Sequence, residues 1–299
     1  HSLTVTVDAT VDAPEVVDTA ARGDEDAAIP LDVAGAISLD TAGIIDGTLD
    51  SVAITDIPDG AVLMSDGVAI TLTGPDATTG LFSAELTPDQ LAGLTITPAS
   101  DDAGDFNLSF TATATDTDPD SGVVVTNTSE AHSLTVTVDA TVDAPTVTDA
   151  AAAGDEDTAI PLDVASAISV DVADGSLDSV DVTNIPAGAS LTYVDGSGAT
   201  QQIAIVDGSA TLTPDQLSSL AITPPADDAS DFTLSFTATT TDTDPDTGNR
   251  VTNTSTAQSL VIAVAATADA PDVSVDDAAG SANTPIALDI AATVDVGDD

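Results

Sequence analysis

The side chains in this sequence that could do chemistry are almost all carboxylates, and many stand one or two positions apart. Asp116, Asp118 and Asp120 form Asp-Thr-Asp-Pro-Asp, and the same pentapeptide returns as Asp242, Asp244 and Asp246. Asp101, Asp102 and Asp105 cluster in the same way, and so do Asp155, Glu156 and Asp157. Calcium takes six to eight hard oxygens at about 2.3 to 2.6 Å, and closely spaced Asp residues on a turn can supply several of them while the ion offsets their mutual repulsion. The two Asp-Thr-Asp-Pro-Asp segments lack the Gly and the twelfth-position Glu of a helical calcium loop, so that motif is not claimed. The competing reading is a set of solvated turns, because Asp is common in turns and an acidic surface favours solubility.

Other chemistry has little material. A Ser-His-Asp site needs a placed His, and the two His residues, His1 and His132, occupy the same strand position in successive copies of a repeat and give way to Gln258 in the next. Paired carboxylates serve glycosidases, but such sites usually add aromatic platforms and a cleft; here there are five Phe, one Tyr and no Trp. An enzyme is not expected.

The elements that must hold these acids are constrained by composition. Against 52 acidic residues stand two basic ones, a formal charge of -50 over 299 residues. Binding to nucleic acid and to anionic membrane is excluded, since both depend on Lys and Arg. Only five acids are Glu, at 15, 25, 85, 130 and 156, and Asp favours turns over helices. With no Cys there are no disulfides and no thiolate ligands. Aromatics are 2% and hydrophobic residues 42%, so a core must be built from Val, Ile, Leu and Ala. Disorder is the alternative for so acidic a chain; a mean hydropathy of +0.23 and regular alternation argue against it. No apolar run reaches the roughly eighteen residues that insertion in a bilayer needs.

The sequence repeats. HSLTVTVDATVDAP at 1–14 recurs unchanged at 132–145, with a looser version at 258–271. GDEDAAIPLDVAGAIS at 23–38 answers 154–169, LTPDQLAGLTITP at 86–98 answers 212–224, and 101–122 answers 227–248. The expected organisation is the final strand of a preceding repeat at 1–12, full repeats at 13–143 and 144–269, and the start of a third at 270–299, within a longer natural protein.

Each repeat reads as strands. Leu134, Val136 and Val138 alternate with Thr, and Phe106, Leu108, Phe110, Ala112 and Ala114 alternate with polar residues, the period-two pattern of half-buried strands. Shorter strands are expected at 28–33, 49–55, 68–73 and 94–97, set off by turn signals such as Asp59-Gly60 and Asp66-Gly67. Thr87-Pro88-Asp89-Gln90, repeated at 213–216, predicts one helical turn with a capping box. The fold class is all-β: tandem antiparallel β-sandwich repeats with Greek-key connections, immunoglobulin-like or cadherin-like. The junction Val142-Asp143-Ala144-Pro145 predicts a short, stiff hinge.

The strand ending in Asp-Ala-Pro, followed by Gly-Asp-Glu-Asp-Thr-Ala-Ile-Pro-Leu-Asp-Val, LTPDQL and DFTLSFTATTTDTDPDTG, resembles the cadherin-like repeats of giant bacterial type I secreted repeats-in-toxin (RTX) adhesins. The resemblance covers both full repeats and both fragments. It implies an extracellular fibre on the bacterial cell surface whose tandem extender domains, rigidified by calcium, project a distal binding module in adhesion and biofilm formation. The partners it implies are neighbouring repeats of the same chain, with self-association into a fibre as a further prospect.

Chain order groups the clusters. If the chain enters each sandwich at one pole and leaves at the other, the last strand, about 123–139, descends to the exit. The junction of the full repeats would then collect Asp101, Asp102 and Asp105 from below, Asp143 from the linker, and Asp155, Glu156, Asp157, Asp242, Asp244 and Asp246 from above. The corresponding acids elsewhere, Asp12, Asp24, Glu25, Asp26, Asp116, Asp118, Asp120, Asp227, Asp228, Asp231 and Asp269, complete the candidate ligands. Asp46, Asp50, Asp174 and Asp178 form a weaker group around a Gly turn. Arg22-Gly23-Asp24 spells an integrin tripeptide, but the second repeat has Ala153-Gly154-Asp155, so Arg is incidental. The sequons at Asn107, Asn127 and Asn253 are read as chance matches. A carbohydrate- or protein-binding module is the alternative function; its one sign is an asymmetry, Ser65 to Ala84 in the first repeat against Val194 to Ala210 in the second. A filament or surface-layer subunit is the third reading, opposed by the charge unless cations bridge it.

Overall fold

In the computed structural model, which describes residues 3, 5, 8–41, 44–45, 47–173, 175–268 and 272–293, the chain forms two compact units. The first is His1–Thr141 with Asp242–Val251, and the second is Val142–Thr241 with Thr252–Asp299.

The first unit is a sandwich of two sheets. Its strands are β1 (Thr19–Asp24), β2 (Ile29–Pro30), β3 (Thr48–Ile57), β4 (Val62–Ser65), β5 (Val68–Ala69), β6 (Phe82–Leu86), β7 (Leu94–Thr97), β8 (Phe106–Thr117), β9 (Val124–Thr128) and β10 (His132–Asp139). One sheet runs β6-β3-β8-β10-β1 with β9 beside β8, and the other runs β2-β7-β4-β5. The expected alternation is present in β8, where Leu108, Phe110, Ala112 and Ala114 are buried and their neighbours are not. Facing them are Ile29, Leu63 and Ile96 from the other sheet, all fully buried. Val, Ile, Leu and Ala do fill the core, around the single buried ring of Phe110.

Two local devices were legible. Gln90 Oε1 accepts from Thr87 N–H at 2.8 Å and closes the helical turn Pro88–Leu91; Gln216 does the same for Thr213 ahead of Pro214–Leu217. The long final strand expected at 123–139 is interrupted between β9 and β10, where Ser129 Oγ takes the N–H of Ala112 at 3.0 Å and keeps the ladder satisfied.

One strand breaks the antiparallel rule. Segment β1, which carries no hydrophobic alternation beyond Ala, pairs parallel to β10, from Thr19 opposite Leu134 to Asp24 opposite Asp139. Gly23 lies against Ile29, and a Cβ there would meet Ile29 Cγ1 at 2.8 Å. The equivalent Gly154 meets Ile160 at 2.7 Å, so the Gly shared by the repeats is a packing requirement.

The second unit repeats the plan with β11 (Ala150–Asp155), β12 (Ile160–Pro161), β13 (Ser176–Thr183), β14 (Ser190–Val194), β15 (Thr200–Ile203), β16 (Ala210–Leu212), β17 (Ala221–Thr223), β18 (Phe232–Thr243), β19 (Arg250–Thr254) and β20 (Gln258–Ala265), of which the last two residues of β18 and the first two of β19 pack with the first unit. Its sheets are β11-β20-β18-β13-β16 with β19 beside β18, and β12-β17-β14-β15. Again β11 is parallel to β20, and Phe236 is the buried ring. Farther along the chain, Asp272–Val275 pairs with Ile290–Thr293.

Candidate functional site

The parallel strand decides where the acids go. Because β1 runs alongside β10, Asp24, Glu25 and Asp26 emerge where the last strand of the unit ends. Glu25 N–H donates to Asp139 O at 3.0 Å, and Thr141 N–H donates to Glu25 Oε1 at 2.7 Å. At the same pole, Val138 N–H donates to Asp105 Oδ1 at 2.9 Å and Asp101 N–H to Asp26 Oδ1 at 3.2 Å. Asp26 and Asp101 both hold left-handed backbone, at φ 56°, which Asp tolerates better than most residues. Asp102 folds onto its own turn, accepting from Gly104 N–H at 3.0 Å.

The second unit reproduces this pole residue for residue. Glu156 N–H donates to Ala265 O, and Thr267 N–H donates to Glu156 Oε1 at 2.7 Å. Asp231 accepts from Val264 N–H at 2.8 Å, Asp157 from Asp227 N–H at 3.2 Å and Asp228 from Ser230 N–H at 2.9 Å. Chain order assigned Asp155, Glu156 and Asp157 to the opposite end of this unit, with the acids of the loop 242–246. That grouping is corrected: an antiparallel first strand would carry them there, and the parallel pairing of β11 with β20 carries them to the end where β20 stops. The group that forms instead in the first unit joins Asp24, Glu25 and Asp26 to Asp101, Asp102 and Asp105.

The segment Asp242–Val251, which packs as part of the first unit, adds to that pole. Asp105 N–H donates to Asp246 Oδ2 at 2.7 Å. Asp244 is buried, and the N–H groups of Thr247 at 2.7 Å and Asp246 at 3.0 Å donate to its Oδ1. Those bonds, led by that from Thr247 and helped by Ala140 N–H, hold its carboxyl below the usual carboxylate range. At the other pole Asp118 is its counterpart: buried, accepting from Ser121 and Asp120, and likewise lowered, chiefly by the Ser121 N–H. The middle acid of Asp-x-Asp-Pro-Asp therefore shapes its own turn and leaves the flanking acids outward. Asp116 caps Thr117 N–H at 2.8 Å, and Asp120 is exposed.

Glu25 and Glu156 are the acids that sequence reasoning treated like the rest and that differ most. They are 3% and 2% exposed. Oε2 of Glu156 is buried with no hydrogen-bond partner. A buried carboxylate oxygen without a donor is costly unless a positive group meets it. The donors around each pole are carboxylate and carbonyl oxygens, the set that suits a hard cation. Among the described residues no three His, Asp or Glu side chains already converge tightly enough to hold a metal ion. Asp269, Asp46 and Asp174 lie outside the described residues.

The linker residues are held by groups read as chance sequons. Asn127 Nδ2 donates to Val11 O at 3.2 Å within the first unit, and Asn253 Nδ2 to Val142 O at 3.0 Å within the second. Thr240 Oγ1 donates to Asp143 O at 2.6 Å. The shared sequence Val-Thr-Asn-Thr-Ser in both repeats was the available signal. Arg22 is bidentate on Asp139, with Nε to Oδ2 at 2.7 Å and Nη2 to Oδ1 at 2.6 Å, so the Arg-Gly-Asp tripeptide is a paired strand with its cation engaged. His132 Nδ1 lies 3.1 Å from Asp18 Oδ1, but Asp18 also takes Ser133 N–H at 2.9 Å, and Asp149 takes Ser259 N–H in the second unit, where Gln258 replaces His. This Asp secures a strand end whether or not a His is present.

No family model matches the sequence, and no curated protein does. Among solved structures the chain is similar to human protocadherin-24 EC1-2, at 16% identity over 69% of this chain and 82% of that one, with a TM-score of 0.29. It is similar to the human desmocollin-1 ectodomain at 12% identity over 87% and 43%, TM-score 0.32, and to Drosophila N-cadherin EC1-4 at 12% over 85% and 50%, TM-score 0.31. The chain thus spans half or less of the last two.

Proposed function

We propose that this chain is a spacer: tandem β-sandwich repeats of an extracellular adhesin or surface fibre, braced by calcium at the ends of the repeats. The observation that carries the reading is the buried Glu156, whose Oε2 lacks a donor, at a pole that also carries Asp155, Asp157, Asp227, Asp228 and Asp231. The first unit builds the same pole around Glu25 and adds Asp246 against Asp105. In this reading Glu25 or Glu156 anchors the ion from within the sandwich, the Asp residues at 101–105 or 227–231 flank it, and the Asp-x-Asp-Pro-Asp turn closes over it. Binding a cation to the folded state alone stabilises that state by mass action and relieves repulsion among acids that no Lys offsets.

The bacterial RTX extender is the specific form proposed, on the ordered motifs that resemble that family. The test is calorimetry and small-angle scattering in millimolar calcium and in chelator at matched ionic strength. A higher melting temperature and a stiffer scattering profile with calcium are expected. Identical melting and identical profiles in the two media would overturn the reading.

A further inference from the structure

The two repeats differ most between the strand β5 or β15 and the strand that follows it. Equivalent antiparallel bridges stand at Thr73 with Ser83 and at Val206 with Ser209. The first bridge encloses nine residues, 74–82, and the second only two, Asp207 and Gly208. The longer loop is closed by its own bonds. Asp76 N–H donates to Leu81 O at 2.9 Å, Gly80 N–H donates to Asp76 O at 2.8 Å, and Asp76 Oδ1 accepts from Thr78 N–H at 2.8 Å and Thr79 N–H at 3.0 Å. With these bonds the Asp76 carboxyl lies below the usual range, chiefly through the Thr78 N–H.

Between this loop and the end of β3 lies a cleft of about 440 Å³ in the first unit. Its lining includes the half-buried Phe82, which also packs on the core, and Pro75. Thr73 and Ser83 add hydroxyls, and Asp56 adds a carboxylate. Asp56 holds left-handed backbone at φ 65°, as does Asn184 in the second unit at φ 62°. No Lys or Arg lines the cleft, and the nearest ionic partners on offer are carboxylates, so an anionic ligand is disfavoured. An ionised carboxylate only accepts hydrogen bonds, so the ligand must be rich in donors. An apolar ring beside such acceptors suits the C–H face of a sugar, with its hydroxyls directed to the acids; a bare ammonium or metal ion would leave Phe82 and Pro75 unused.

We propose that this cleft binds a neutral saccharide unit, an activity of the first repeat alone and independent of the calcium reading. The test uses the intact chain at constant calcium, screened by saturation-transfer NMR against neutral methyl pyranosides and short neutral oligosaccharides, then titrated by calorimetry. Saturable binding of at least one neutral saccharide is expected. Asp56→Asn should weaken it at least tenfold while preserving the fold, because Asn184 holds the same conformation in the second unit. Replacing residues 74–82 by Asp-Gly, the turn of the second unit, should abolish it; where that replacement fails to fold, Asp56→Asn decides. Absence of binding across the neutral panel, binding unchanged in either folded variant, or preference for a tetramethylammonium probe over every sugar would overturn the proposal.

Discussion

Replacing Glu156 by Gln separates a cation ligand from an ordinary buried acid, because the two roles require opposite signs in two media. The Glu156 side chain is 2% exposed, with one oxygen bonded to Thr267 N–H at 2.7 Å and the other without a donor. A buried charge lacking its partner costs several kcal/mol before relaxation. Allowing for the Thr267 bond, and for the neutral Gln still leaving a polar group buried, about 2 kcal/mol remains that Gln would not incur. In chelator at pH 7 the variant should therefore be more stable, and its melting temperature should rise by about 4 to 8 °C for a domain of this size. With calcium at about a hundred times its dissociation constant, a site contributes about 2.7 kcal/mol. Losing the charged oxygen removes most of that, which at this concentration little more than offsets the roughly 2 kcal/mol that Gln gains; at about a thousand times the dissociation constant, where a site contributes about 4.1 kcal/mol, the same variant should melt about 4 to 8 °C lower than the parent. Scanning calorimetry of parent and variant in both media is the assay. A shift of one sign and similar size in calcium and in chelator would refute the reasoning, since Glu156 would then be a packing residue indifferent to cations.

Four further outcomes are expected. Asp118 and Asp244 have lowered folded pKa values, so each contributes stability that is fully present above the unfolded value, near 3.8, and is lost as pH falls through the folded one; in Asp118→Asn and Asp244→Asn the acid limb of a melting-versus-pH curve should flatten below about pH 4. Phe110→Ala and Phe236→Ala should each destabilise their own sandwich by about 3 to 5 kcal/mol, seen in calorimetry as the loss or downward shift of one transition. Arg22→Ala should change stability by less than about 1 kcal/mol, because the Asp139 pair is solvent-exposed and the second unit carries Ala153 there; solid-phase binding to integrin should be absent in parent and variant alike. Gly23→Leu should destabilise the first unit in urea titration by more than Arg22→Ala, since a side chain at Gly23 runs into Ile29.

Much of the fold could be read from period and punctuation. Leu108, Phe110, Ala112 and Ala114 declared the buried face of β8, Leu94 and Ile96 declared that of β7, and Thr87-Pro88-Asp89-Gln90 declared a capped turn, because each signal is local: side-chain alternation and caps need only neighbours along the chain. The repeat itself placed every cluster twice, and the difference between Ser65 to Ala84 and Val194 to Ala210 was visible as an asymmetry, which the bridges of the structure narrow to 74–82 against 207–208. What the sequence by itself determined is therefore the fold class, the repeat and the stock of acidic oxygens.

Only the tertiary structure decided how those oxygens are sorted. The segment Thr19–Asp24 has Ala, Arg and Gly where a strand would show alternating apolar residues, and its partner lies more than a hundred residues away in the parallel sense. Alternation reports which face a strand buries and says nothing about which strand lies beside it or in which direction. That one pairing sends Asp24, Glu25 and Asp26 to join Asp101, Asp102 and Asp105, and sends Asp155, Glu156 and Asp157 to the opposite end from the one chain order suggests. It also buries Glu25 and Glu156 while Asp24 and Asp155, one residue earlier, stay exposed. Burial of a charge is a property of the space around it, and that space is assembled from distant segments of the chain.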